Sequence, residues 1–271
     1  MANLIAPAAR SQTVIRIGAL SVCITADDPD FLKMLNSRYT GFVSCSISGD
    51  FHFDVELAPP GFGDPGDDVR LTNRSGSWTL QRGDFRADWN PVSRTGTIQL
   101  SPNPYSIDAL LRILHTLTLA AQGGFLLHAA SAIRNGKAFL FTGASGAGKT
   151  TIASLAPGDA TLLSDEISYI RERNDGYFAC GTPFAGELRK LGENVSAPLA
   201  AVYVLAKGPE NRVDSLSATE AARALLSNLL FFAEDRELVD AVFHAACEFV
   251  TRVPVFRLTF FPDLRVWELI R

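Results

Sequence analysis

The run Gly143-Ala144-Ser145-Gly146-Ala147-Gly148-Lys149-Thr150 matches G-x-x-x-x-G-K-[ST] at every fixed position. Residues of these types at this spacing suit one kind of chemistry, the holding of phosphate. The glycines let successive backbone N–H groups converge on phosphate oxygens, and a helix that follows adds its dipole. Lys149 reaches the β/γ-phosphates and Thr150 offers a hydroxyl to Mg2+. The context is the one the motif needs, with an apolar strand before it and a helix-compatible segment, residues 150–155, after it. The candidate nucleotide-binding set is therefore Gly143, Ala144, Ser145, Gly146, Ala147, Gly148, Lys149, Thr150 and Thr151.

About fifteen residues further on, Thr161-Leu162-Leu163-Ser164-Asp165-Glu166 is an apolar strand ending in two acids. A carboxylate at the tip of a strand beside a phosphate loop holds Mg2+, directly or through water, or accepts the proton of an attacking hydroxyl. Two adjacent acids can divide those roles. The plainer alternative is a solvated strand end, where acids are common.

His128 gains interest through register. If Asn135-Gly136 is a two-residue turn, Arg134 pairs with Lys137, and counting back along the ladder sets His128 opposite Gly143. There the imidazole can hydrogen-bond a γ-phosphate oxygen or orient a carboxylate. The other reading is a buried histidine satisfied by backbone. Gly181-Thr182-Pro183-Phe184-Ala185-Gly186-Glu187 leaves a strand through a sharp bend that ends in an acid, which alone reads as a turn. Arg189, Lys190 and Arg212 are isolated basic residues, either phosphate clamps or surface charges, and the sequence singles out none of them.

Elements must bring these residues together. Residues 125–133 and Lys137–Thr142 read as a strand pair across Asn135-Gly136, the strongest short hairpin signal. Further strands are expected at 160–164, 168–171, 177–180, 199–205 and 255–260, with a hairpin at Asp175-Gly176. Ser217-Ala218-Thr219-Glu220 is a capping box opening one helix, and a second runs from about 236 to 252. Upstream, Ser106 is the expected N-cap of a helix with leucines at 110, 111, 114 and 117, stopped by Gly123-Gly124.

The first ~105 residues differ in character. Residues 13–24 read as one strand or as a strand pair broken at Gly18, Asp27-Asp28-Pro29 opens a short helix, and Phe51–Leu57 alternates apolar and polar residues. Residues 59–68 form a loop by composition, and 78–89 a hairpin turning near Gly83-Asp84. The expected division is a smaller α+β domain over 1–105, which carries no chemistry of its own and is left to select substrate, and an α/β domain with a mixed sheet over 106–271.

A chain of 271 residues that is 47% hydrophobic and 20% charged can bury a sizeable core and does not have a disordered composition. With 25 Lys+Arg against 29 Asp+Glu and no basic run, it is not built for nucleic acid or an anionic membrane surface. Cys23, Cys45, Cys180 and Cys247 are scattered, with no CxxC pair, and read as reduced thiols of a cytoplasmic protein. The N-terminal stretch lacks the basic-then-apolar order of an export signal, and no apolar run is long enough to span a bilayer.

In their order, Leu127-His128, the Asn-Gly hairpin, the 143–150 loop and Leu163-Ser164-Asp165-Glu166 resemble the HPr kinase/phosphorylase-like P-loop kinases, whose core is similar to that of phosphoenolpyruvate carboxykinase. The runs LLHAASAI, GKAFLFTGASGAGKTT, LLSDE, GTPFAGE, NVSAPLAAVYVL and VPVFRLTFFPD are similar to those of smaller bacterial relatives, among them kinases associated with lasso-peptide and other peptide-modification clusters. The resemblance covers roughly residues 123–261. It implies an ATP- and Mg2+-dependent serine kinase in which Asp165 deprotonates the acceptor, Glu166 is the second acid near the metal, and His128 lies beside the transferring phosphate. It further implies that Lys149 binds phosphate, Thr150 binds the metal and Glu187 approaches it. Ala129 stands where HPr kinases usually carry glycine, and the EIRGLGI-like signature is missing, so the implied substrate is a dedicated peptide or protein bearing a serine, or a small molecule, rather than HPr, and the alternative outside catalysis is a nucleotide-binding module that does not turn over. Homo-oligomerisation is a further expectation from the resemblance.

Overall fold

The computed structural model describes residues 11–59 and 62–271. The first ten residues of the N-terminal segment, and Pro60 and Gly61 of the expected loop, lie outside the described residues. The chain forms two compact units, Met1–Ala109 and Leu110–Arg271.

In the first unit β1 (Ser11–Ile17) turns back at Gly18, whose φ of 61° suits glycine, into β2 (Leu20–Ala26). Asp28 caps α1 (Pro29–Arg38), its carboxylate accepting the Phe31 N–H at 2.9 Å. β3 (Val43–Ser44) and β4 (Phe51–Leu57) follow, and β4 buries every second residue as its alternation predicts. β5 (Arg70–Arg74), β6 (Ser77–Arg82), β7 (Phe85–Asn90) and β8 (Thr95–Leu100) complete a mixed sheet of order β3-β1-β2-β4-β8-β7-β6-β5. β3, β5 and β8 were not expected from the sequence. They carry few buried residues and so lack the hydrophobic pattern that would announce them.

The helix expected from Ser106 begins earlier, as α2 (Pro104–Ala120). Asn103 takes the capping role, its Oδ1 accepting the N–H groups of Tyr105 and Ser106 at 3.0 Å each, and Pro104 pre-sets the first helical φ. Ser106 instead donates its hydroxyl to the buried Asp84 at 2.5 Å.

The second unit is organised around β9 (Phe125–Arg134). Asn135 and Gly136, at φ 52° and 73°, form the predicted two-residue turn into β10 (Lys137–Thr142), with Arg134 paired to Lys137 and Ala129 to Thr142. A glycine-rich loop leads to α3 (Lys149–Ser154), then β11 (Thr161–Ser164), β12 (Ile167–Arg173) and β13 (Gly176–Cys180). The β12–β13 turn lies one residue earlier than expected. Arg173 pairs with Gly176, leaving Asn174 and Asp175 as the loop.

β14 (Ser196–Lys207) is longer than the apolar run suggested and continues through Pro198. Then come β15 (Arg212–Ser215), α4 (Ala218–Leu226) with its complete Ser217–Glu220 capping box, β16 (Leu229–Leu230), α5 (Arg236–Arg252), β17 (Val255–Phe260) and a 3-10 turn, Leu264–Glu268. Among the described residues these strands make a nine-stranded mixed sheet, parallel where β14 meets β10 and β17. Both faces are apolar, as a covered sheet requires. Leu127, Leu140 and Val202 pack with Ala221, Leu225 and Phe249 of α4 and α5, while Phe139, Phe141 and Tyr203 pack with Ile152 of α3 and with Trp267. No helix among the described residues is long and apolar enough to cross a membrane.

Candidate functional site

The site grows from a break in strand pairing along β9. Ser164 at the end of β11 pairs with Ser131, Ile167 at the start of β12 pairs with His128, and Asp165 and Glu166 occupy the interruption between them. The Ser164 hydroxyl accepts the N–H groups of Glu166 (3.2 Å) and Ile167 (2.9 Å), and the Glu166 carbonyl accepts from Ala129 (3.0 Å). This pins the turn and turns two acids out of the ladder beside His128. On the other edge of β9, the β10 register carries His128 to the mouth of the glycine-rich loop.

That loop uses its glycines for backbone shape. Gly143, Gly146 and Gly148 adopt φ of 151°, 74° and 109°, and Gly148 is the residue from which α3 starts. Lys149 is buried, and its ammonium donates to the carbonyls of Gly143 (2.9 Å) and Ala144 (3.3 Å). Burial lowers its pKa, partly offset by the charge of Glu187.

A cleft of about 290 Å³ is lined by His128, Ser145, Gly146, Gly148, Lys149, Thr150, Thr151, Asp165, Glu166, Gly186 and Glu187. The separate sequence signals therefore converge on one space. Of the expected nucleotide-binding residues, Gly143, Ala144 and Ala147 shape the loop without lining the cleft. His128 is exposed on the cleft side, which excludes the reading of a buried histidine satisfied by backbone. Desolvation in the cleft, then the cations Lys149 and Arg112, lower its pKa, so the imidazole is neutral at pH 7.

Asp165 is buried and accepts two backbone N–H groups, from Gly186 at 2.8 Å and Leu188 at 2.9 Å, one on each oxygen. It thus latches the bend after Phe184, and each oxygen keeps a further lone pair. The latch explains how the turn at residues 181–187 enters the site, bringing Glu187 to the cleft. Arg189 and Lys190 are exposed, and Arg212 pairs with Asp214 at 2.8 Å, so none of these clamps the cleft.

Sequence reasoning missed Arg112. Its Nη2 donates to Glu166 Oε2 at 3.2 Å and its guanidinium lies over the Phe184 ring, 5.0 Å from the centroid. The available signal was a charged residue between Leu111 and Ile113, both fully buried.

Magnesium takes one or two carboxylates and leaves its other positions to phosphate and water. The Thr150 hydroxyl with Glu166 and Glu187 matches that need. No cluster of three His, Cys, Asp or Glu side chains forms a closed cage among the described residues. The donor set fits a metal that arrives with a phosphate ligand.

Fold and cleft together define a mixed-sheet α/β protein with a G-x-x-x-x-G-K-[ST] loop between strand and helix, facing a cluster of acids. The family model of the SynChlorMet cassette protein ScmC matches residues 105–271, and the chain belongs to that family. No curated protein matches. Among solved structures, the Hpr(Ser) kinase/phosphatase from Coxiella burnetii is similar at 14% identity with a TM-score of 0.31, over 54% of this chain and 85% of that one.

Proposed function

We propose that the chain is an ATP-dependent kinase that transfers the γ-phosphate to a serine or similar hydroxyl of a peptide or protein. The observation that carries this reading is the single cleft in which Lys149 and Thr150 face His128, Asp165, Glu166 and Glu187. Phosphoryl transfer asks little of a protein beyond positioning and charge neutralisation, and this set supplies both.

Lys149 leaves its loop carbonyls for β/γ-phosphate oxygens, and the loop N–H groups bind the phosphate chain. Thr150, Glu166 and Glu187 would hold magnesium, which supplies charge neutralisation on the phosphates when bound. Asp165 accepts the acceptor hydroxyl's proton on a lone pair not used by the Gly186 and Leu188 N–H groups. The acceptor oxygen bonds to the γ-phosphorus as its bond to the bridging oxygen breaks, and ADP departs. His128 hydrogen-bonds the moving phosphoryl group. Cys23, Cys45, Cys180 and Cys247 are free thiols, which supports a reducing compartment such as the cytoplasm.

The test is mass spectrometry of serine-containing peptides, first among them a precursor encoded beside the gene, after incubation with the protein, ATP and Mg2+. A gain of one phosphate that Lys149→Ala abolishes supports the kinase. Asp165→Asn should bind ATP and fail to transfer it. Absence of transfer to any peptide, with ATP bound, would overturn the peptide acceptor.

A further inference from the structure

We propose that Arg112 is an exchange cation, pairing with Glu166 in the geometry described and turning to phosphate oxygens when Glu166 serves a metal-bound nucleotide. The inference rests on the nucleotide reading of the cleft and adds to it a residue outside the phosphate-loop motif.

Four observations carry it. The Arg112–Glu166 bond is a single contact of 3.2 Å between side chains 23% and 30% exposed, not a bidentate fork. A pair of that kind is weak enough to be given up. The guanidinium lies over the Phe184 ring, 5.0 Å from its centroid, a support that survives departure of the carboxylate. Its Nε is buried with no hydrogen-bond partner, so the group retains unused donor capacity. Glu166 lines the cleft, so the guanidinium bonded to it stands beside the space where a transferring phosphoryl group would lie.

The charge arithmetic of the cleft explains why such a residue is needed. Asp165, Glu166 and Glu187 line it, and Lys149 is the cation of the motif. A polyphosphate entering that space meets three carboxylates. A guanidinium that neutralises Glu166 beforehand and then follows the incoming charge reduces the repulsion in both states.

The two states respond oppositely to loss of Arg112, and that split is the test. Binding of Mn2+ alone, of ATP with chelator present, and of Mn2+ with ATP is measured by calorimetry for wild type, Arg112→Gln and Arg112→Lys. Thermal melts check that each variant is folded. In Arg112→Gln, Mn2+ alone should bind a few-fold more tightly, because the competing cation has gone. The metal–nucleotide complex should bind about tenfold more weakly, the loss of one charge-assisted hydrogen bond. Arg112→Lys should recover part of the second effect. A merely structural role would weaken all three ligands together, and that result, or no change in any, overturns the proposal. If Arg112→Gln does not fold, Arg112→Lys decides alone, and metal–nucleotide binding as weak as full loss predicts overturns it. Failure of the wild-type chain to bind nucleotide under any condition overturns the kinase reading itself, whereas equal nucleotide binding by wild type and Arg112→Gln overturns only the role of Arg112.

Discussion

Gly148 lies so close to Phe260 that a Cβ built on it would stand 2.6 Å from the ring's Cζ. The glycine-rich loop therefore rests on the end of β17, more than a hundred residues away in the chain. Gly148 also adopts a φ of 109°, which L side chains rarely take.

Gly148→Ala meets both the ring and the backbone strain. The expected cost is about 1–3 kcal/mol of stability, with loss of nucleotide binding. Pairing it with Phe260→Leu removes the ring and leaves the strain, so partial recovery is expected. Thermal melts and a nucleotide titration read both effects, and a Gly148→Ala protein that melts and binds like wild type would show the close approach to be unimportant.

α3 has six residues, too few to persist alone, and must be held by packing. Trp267 does this, fully buried against Phe141 and donating its indole N–H to the Ile152 carbonyl at 3.1 Å. Trp267→Phe should cost roughly 1 kcal/mol for the hydrogen bond, and Trp267→Ala about 3–5 kcal/mol. Urea titration distinguishes them, and equal losses would mean that the bond, which both variants lose, and not the packing accounts for the role of Trp267.

Lys149 is buried, with its charged form disfavoured by burial. Lys149→Met keeps the length and removes the desolvated charge. Its melting temperature should equal or exceed that of wild type, while ATP affinity falls at least about tenfold. A variant that loses stability and affinity in parallel would contradict a binding role for the ammonium.

His115 is buried in the second unit, edge-on to Tyr169, and neither ring nitrogen has a hydrogen-bond partner. Burial pushes its pKa from 6.5 down to about 3. The folded protein therefore resists a proton that the unfolded chain accepts below pH 6.5. Stability is full above that pH and is lost as the pH falls from 6.5 towards 3, by about 1.4 kcal/mol per unit. At pH 4.5 the loss from this residue should be roughly 2–3 kcal/mol, and His115→Leu should remove it. Denaturant titrations at pH 7 and 4.5 give the comparison, and the same acid loss in both proteins would rule His115 out as its source. His128 titrates in the same direction, lowered by desolvation and then by Lys149 and Arg112, so some acid sensitivity should persist in the variant.

Much of the site was legible in the sequence because its signals are local. The fixed positions of the 143–150 loop demand backbone shapes that only glycine takes, and three of its glycines show them. Asn135-Gly136 sets a two-residue turn, and a two-residue turn sets register, which placed His128 fourteen residues before Thr142's end of the hairpin reached the loop. The Ser217–Glu220 capping box and the alternation of β4 are likewise contained within a few residues.

What the sequence by itself determined is thus the set of elements whose cause lies within one turn or one hairpin: the glycine-rich loop, the β9–β10 register and the acid-tipped strand. The tertiary structure alone decided the rest. It set Arg112 on Glu166 across 54 residues, closed the Gly186 and Leu188 N–H groups on Asp165 across 21 and 23, and laid Phe260 under Gly148. The physical reason is that these contacts are set by which faces of helix and sheet bury together. A single charged residue in a helix, or an N–H in a turn, carries no periodicity that names its distant partner.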